Sequence, residues 1–390
     1  MSFNISLSGI NAVNDQLSAI SNNIANSGTY GYKSGRANFS SNYINAQPSG
    51  VSVGSMSQSI DQTGNFFSTG RGMDAAIQGS GFFVTRGSDG ALQFSRAGIF
   101  NTDKDGNVVD FLGRKVQGYG TDGGVMGDLK VPAGSVPASA SSSLDYVGNM
   151  SADWEQPSVT PFDKDNAETY NGMSVATVYD SLGRKHTVTQ YFVKGANNEM
   201  EVHYAMNGDI KGTPAKLDFD TNGKLTSPTG PVKFDLGTPP GAEPMVLDIK
   251  YTGTTMFAGE QSTATNRTDG YAAGTMNGVQ LAEDGSVEVQ YSNGQKVTAG
   301  RLVIATFANE NALKPISGSA WAMTAGTGEP LYSVPGTGMA GKLAIGALEQ
   351  SNVDMTAELV QLMGAQQNYQ ANSKVLSTEN EMMRTLMQAL

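Results

Sequence analysis

The strongest constraint on this chain is a heptad stripe at each end with a β-patterned middle between them. From Ile10 the apolar positions run Ile10, Val13, Leu17, Ile20 and Ile24, alternating steps of three and four. That spacing lines one face of a helix, and Asn26-Ser27-Gly28 reads as its stop. The C-terminal segment repeats the design through Met355, Leu359, Leu362, Tyr369, Leu376, Met383 and Leu390. Gln366, Ser373 and Asn380 interrupt that stripe, where polar residues set register at a cost in stability. Ser351-Asn352-Val353-Asp354 reads as a capping box with Ser351 as the cap, and no Gly follows Gly364. The spacing predicts one helix over about 4–26 and a longer one over about 352–390. Narrow stripes must be covered, by each other, by the rest of the chain or by further copies. Asp15 is the only charge before Lys33, which favours packing between copies.

Between these ends, hairpin signals recur at Asp89-Gly90, Asp105-Gly106, Asn222-Gly223, Asp284-Gly285 and Asn293-Gly294. Alternation is clean over Val287–Tyr291, and Thr187–Val193 is a β-branched and aromatic run. Val131–Leu144 and Gly259–Gly270 read as linkers around an inserted block. The predicted fold is mainly β with helical termini. Its heptad helices form a coiled-coil-like inner domain, 1–32 plus 352–390. A connecting extended arm follows, 33–70 plus 336–351, then a discontinuous β domain, 71–147 plus 270–335. An inserted β domain, 148–269, is nested within it.

Composition excludes several classes of function. The 390 residues carry a net charge of −11, which speaks against binding nucleic acid phosphates or anionic membranes. No cysteine is present, so disulfides, thiol catalysis and thiolate metal sites are ruled out. Two histidines, His186 and His203, are too few for a His-rich metal site. No apolar run is long enough to span a membrane, and the N-terminal segment has neither the basic region nor the apolar core of a secretory signal.

Three motifs mimic chemistry and fail on context. Gly118-Tyr119-Gly120-Thr121-Asp122-Gly123 fits a dinucleotide loop, but no helix follows. Gly336 to Lys342 fits a phosphate loop, but Leu343 stands where a hydroxyl must hold magnesium. Asn101 to Gly106 resembles half a calcium loop, yet Leu112 occupies the position of the bidentate carboxylate. No catalytic, cofactor or metal residues are expected.

Three ordered segments resemble the axial proteins of the bacterial flagellum, a family of rod, hook and hook-associated subunits. The first is Asn22-Asn23-Ile24-Ala25-Asn26-Ser27-Gly28-Thr29-Tyr30-Gly31-Tyr32-Lys33. Its Ser27 and Thr29-Tyr30 depart slightly from the commoner wording. The second joins Gly79, Gly81, Phe82 and Phe83 to Arg96, Ala97 and Gly98, and the third is Gly346 to Asp354, including Ser351 and Asn352, with Tyr369–Lys374 downstream.

The inserted block fits hook members, since distal rod members are shorter and lack it. The resemblance implies export by the flagellar type III apparatus and a place outside the cell. It implies polymerisation into a flexible tube, a universal joint that transmits torque from the rod to the filament. Its implied partners are copies of itself, a hook cap, the distal rod and the first hook–filament junction protein. The alternatives are a distal rod-like axial protein or, from another class, a secreted β-rich adhesin or glycan-active enzyme.

Overall fold

The computed structural model describes residues 2–44, 47–132 and 134–389. The fold is mainly β with a helix at each end, α1 over Ser2–Ala25 and α2 over Met355–Ala389. Internal contacts divide it into two units: Met1–Ala133 with Gly278–Gln290 and Lys296–Leu390, and Gly134–Asn277 with Tyr291–Gln295.

In the first unit, α1 stops where its apolar stripe stops. The Asn26 amide and its Nδ2 both donate to the Asn22 carbonyl. Gly31 then turns the chain at φ +68°, and a Cβ there would stand 2.7 Å from the Ala97 nitrogen, so this turn requires glycine.

The helix α2 starts later than the spacing predicts. Asp354, not Ser351, caps it, its Oδ1 accepting from the amides of Thr356 and Ala357 at 2.9 and 3.1 Å. The reason lies in Asn352. Its Oδ1 accepts from the Ser34 amide and its Nδ2 donates to the Ser59 and Gln62 carbonyls, which holds this stretch out of the helix. Asp354→Ala is expected to cost about 1 kcal/mol, the usual loss of an N-cap. Thermal unfolding followed by far-UV circular dichroism measures it.

The predicted extended arm is in part a hairpin, β1 over Gly35–Ile44 and β2 over Gln47–Gln58, with register shifts at Asn38/Phe39 and Asn42/Tyr43. Its cross-strand contacts are polar, Asn38 Nδ2 reaching the Ser55 and Ser57 hydroxyls and Ser40 meeting Ser52. Apolar pairs are few, Phe39 facing Val53 and Ala37 facing Met56, so the alternation is too sparse to mark two strands in the sequence. The return segment is not free chain either. Lys342–Ile345 pairs with Ala75–Gln78, and Ala347–Glu349 pairs with Phe66–Ser68. Lys342 thus opens a strand, not the helix that a phosphate loop requires.

The β core of this unit gathers Phe82, Val84, Phe94, Val303, Ala305, Phe307, Leu313 and Trp321. Phe82–Arg86 lies between Leu92–Ser95 and Lys115–Tyr119. Phe94 meets Phe307 edge-on at 4.8 Å between centroids, a preferred aromatic geometry. The calcium-like stretch is a hairpin turn. Asp103 accepts from the Asp105 and Asn107 amides and from Asn107 Nδ2, which occupies its carboxylate.

The second unit is built from two sheets over one core. One is a meander of Gly172–Tyr179, Lys185–Lys194, Glu199–Met206, Asp209–Phe219 and Leu225–Ser227. The other centres on Ser143–Ser151, parallel to Met245–Lys250 and Thr255–Phe257. Burial alternates residue by residue along Ser143–Ser151 and Lys185–Lys194, so each strand sends every second side chain inward. Inside are Tyr146, Phe192, Val202, Tyr204, Leu217, Leu247 and Ile249. The Tyr204 and Tyr251 hydroxyls share a hydrogen bond and Tyr251 donates to Gln190, so these buried polar tips have partners.

The expected linker Gly259–Gly270 is mostly strand. Ser262–Thr268 pairs antiparallel with Ser143–Ser151, the strand that centres this sheet and begins inside the other expected linker. Thr and Ser are β-compatible when their hydroxyls find partners, and Thr268 Oγ1 donates to the Thr177 carbonyl.

Both histidines are structural. His186 Nε2 lies 3.1 Å from buried Asp180, and His203 stacks on Phe162 at 4.0 Å. Burial would raise the Asp180 carboxyl, but hydrogen bonds from His186 and from the Arg184 amide and guanidinium outweigh it and hold it well below the usual carboxylate range.

Candidate assembly site at the terminal helices

The paired helices run antiparallel. Val13 and Ile20 are buried against Ala365, with Leu17, Ile24 and Leu362 packed around them. Asn23 Nδ2 donates to Glu358 Oε1 at 2.8 Å, and Gly9 lies where a Cβ would come within 2.9 Å of the Asn372 amide. Close approach at one end and a buried hydrogen bond at the other fix the register.

These contacts turn α2 by one residue from its predicted face. Leu362 and Leu376 are half-buried as the stripe requires, but the other inward column is Glu358, Ala365, Asn372 and Glu379. Met355, Leu359, Tyr369 and Met383 are exposed, and Leu390 lies outside the described residues. The physical reason is the partner: Gly9 and Asn23 of α1 select small or hydrogen-bonding residues opposite them, not the largest apolar ones. Ile10 is half-buried in α1.

At the foot of the helices the signature segments converge on a buried charge cluster. Lys33 Nζ donates to Glu349 Oε1 at 2.7 Å and to the Gln62 carbonyl, with both charged side chains fully buried. Arg96 Nη1 stands 3.5 Å from Glu349 Oε2, donates to the Gly79 carbonyl, and places its guanidinium over the Phe82 ring at 5.1 Å. The Gly64 amide also donates to Glu349 Oε1, and the Gly31 amide donates to the Glu349 carbonyl. Burial pushes the Lys33 ammonium and the Arg96 guanidinium down, and in both the charge of Glu349 opposes it. Burying these cations is uphill; Glu349 does most to offset that cost for both, and the charge of Glu310 adds a smaller share.

Beside this cluster Asn23 uses its whole amide. Nδ2 also donates to the Gly35 carbonyl, while Oδ1 accepts from the Gly35 amide and the Tyr32 hydroxyl. Burial raises the Tyr32 phenol, and the charge of Glu358 raises it further. Asn22, Asn26 and Tyr32 line a cleft of about 290 Å³ with Ile60 and Leu313. Gly81, Phe82 and Phe83 are buried around the strand Phe82–Arg86. Gly98 passes so close to the Ala75 carbonyl that a Cβ would overlap it. Ser351 Oγ accepts from the Val353 amide.

The structure thus brings Asn23, Gly31, Tyr32, Lys33, Arg96 and Asn352 to one junction. The sequence reading missed Glu349 and Glu358 as functional positions. Two cations, Lys33 and Arg96, with no acidic neighbour in sequence were the available signal. Nothing local points to Glu349, which is 316 residues from Lys33.

The site is a pair of terminal helices joined to β structure by a buried charge cluster, and the family models it matches are those of the flagellar axial class. Family models agree along the chain: the flagellar hook protein FlgE/F/G D1 domain over 76–152, the flagellar basal body protein FlaE D2 domain over 149–271, and the flagellar basal body rod FlgEFG protein C-terminal over 344–389. Flagellar hook protein FlgE of Escherichia coli K12 is 34% identical, over 99% of this chain and 99% of that one. Its counterpart in Salmonella typhimurium is 35% identical with the same coverage, and that of Brucella suis is 33% identical over 97% of this chain and 96% of its own. The crystal structure of Helicobacter pylori flagellar hook protein FlgE2 superposes with a TM-score of 0.53, covering 73% of this chain and all of that one at 14% identity, a likeness of fold. The chain belongs to the flagellar hook protein family, a non-enzymatic structural component of the flagellum.

Proposed function

We propose that this chain is the repeating unit of a flexible helical tube, the universal joint that passes torque from rod to filament. Similarity to a hook protein, 34% identical over 99% of both chains, carries the reading. Repeated head-to-tail contacts whose rotation does not close a ring generate such an open helix. In this arrangement α1 and α2 form a coiled-coil-like inner layer. Met355, Leu359, Tyr369 and Met383, exposed in the single chain, meet neighbouring copies there. The discontinuous β domain, 71–147 plus 270–335, and the nested domain, 148–269, make up the rest of each subunit. With charged residues only 16% of the chain, their outer contacts are weak and polar and exchange for others of similar energy as the tube bends.

Export through the flagellar type III apparatus to the outside of the cell belongs to the same reading. So do contacts with a hook cap at the growing tip, the distal rod below and the first hook–filament junction protein above. The chain performs no catalysis.

Negative-stain electron microscopy of the full-length protein at rising concentration is the test. Tubes are expected. Monomers at every concentration, with or without preformed seeds, would overturn the reading.

A further inference from the structure

The helix α2 outruns its partner. Asn23 is bonded to Glu358 and Gly9 stands against Asn372, so the helices advance in opposite directions residue for residue. At that rate the first turn of α1 lies opposite about Glu379, and Asn380–Ala389 project beyond it. Sulfur is concentrated on this projection. Met382, Met383 and Met387 are 62, 65 and 76% exposed; Met339 at 70% is as open but stands alone on a loop, whereas Met150, Met200, Met245 and Met256 of the second unit are 4% exposed or less.

We propose that Met382, Met383 and Met387 form an oxidation site that controls assembly, with a peroxide as the oxidant. The proposal rests on the reading that α2 packs between copies. A sulfur lone pair attacks one peroxide oxygen, the S–O bond forms as the O–O bond breaks, and water departs after proton transfer. The thioether is oxidised by two electrons to the sulfoxide and the peroxide is reduced. The product replaces a flexible apolar side chain with a polar one. On a projecting helix end the new oxygen is solvated at little cost. In a dry contact between helices it loses that water, and it must then compete for the few donors on this stretch, Arg384, Thr385 and Gln388. Oxidation is therefore tolerated by the free chain and excludes it from the tube, and sulfoxide reductases reverse the change.

The experiment treats full-length protein with hydrogen peroxide, maps sulfoxides by mass spectrometry and follows elongation of preformed tubes. The three sulfurs are expected to react at least about tenfold faster than the buried methionines, and the treated protein to elongate about tenfold more slowly. The combined variant Met382→Leu, Met383→Leu, Met387→Leu keeps its elongation rate after peroxide. Treated wild-type protein that elongates normally overturns the proposal, as does a triple variant that peroxide inactivates equally. If that variant fails to elongate untreated, the comparison is the reactivity of the three wild-type sulfurs before and after assembly. At least about tenfold protection in tubes supports the proposal, and equal reactivity overturns it. Untreated wild-type protein that forms no tubes overturns the assembly reading and this proposal with it.

Discussion

Replacing Glu349 with alanine is expected to destabilise the first unit by about 3–5 kcal/mol, the cost of leaving buried charge unpaired. Lys33 and Arg96 stay buried after the change, and each loses its carboxylate partner within salt-bridge distance among the described residues, leaving only the more remote charge of Glu310. The Lys33 ammonium would retain the Gln62 carbonyl, and the Arg96 guanidinium the Gly79 carbonyl. Neither carbonyl supplies the compensating charge. For a unit of this size the loss corresponds to a fall in melting temperature on the order of 10 °C. Calorimetry resolves it, with the transition of the second unit as internal reference. Because the cluster also holds the segment between α1 and the sheet, limited proteolysis should open first around Lys33. A double variant, Lys33→Met with Glu349→Leu, should cost less than the two single changes summed, since it removes both members of a coupled pair. Additivity would show that the pair is not coupled.

The second large effect belongs to the helix pair. Ile20 is 2% exposed and sits in the small cluster with Val13 and Ala365. Ile20→Asp removes that burial and places a carboxylate where no cation stands in the cluster, a loss of several kcal/mol, about 3–5 by analogy with large-to-small changes plus the charge. The cluster is too small to absorb it, so α1 and α2 should separate while both β cores, built from other residues, remain folded. Under the assembly reading, elongation of seeded tubes should fall below detection. A variant that melts like wild type in its β units and still elongates at the normal rate would refute the role given to the helices.

Much of this architecture was legible in the residues, for identifiable reasons. The face of α1 was legible because Val13, Leu17, Ile20 and Ile24 follow one period and pack on one side. The Asx-Gly turns were legible because positive φ is a backbone requirement that glycine meets locally, as at Gly90, Gly106, Gly223, Gly285 and Gly294. The hairpin of β1 and β2 was not, because its ladder is mostly serine and asparagine, with apolar pairs such as Phe39 and Val53 too few to set a period. The strand Ser262–Thr268 was hidden in the same way by its threonines and serines.

By itself, then, the sequence determined what depends on neighbours along the chain: helical ends, a turn-punctuated β middle, and the ordered motifs that mark the hook family. Tertiary structure alone decided which face of α2 turns inward, which residue caps it and which acid neutralises Lys33 and Arg96. Periodicity counts apolar residues and knows nothing of the surface they meet. Gly9 and Asn23 reject bulk, and so Ala365 and Asn372 point in where the pattern named Gln366 and Ser373. Glu349 acquires its role in the same way, because a desolvated charge must find its counter-ion in space, and the fold brings that partner from the other end of the chain.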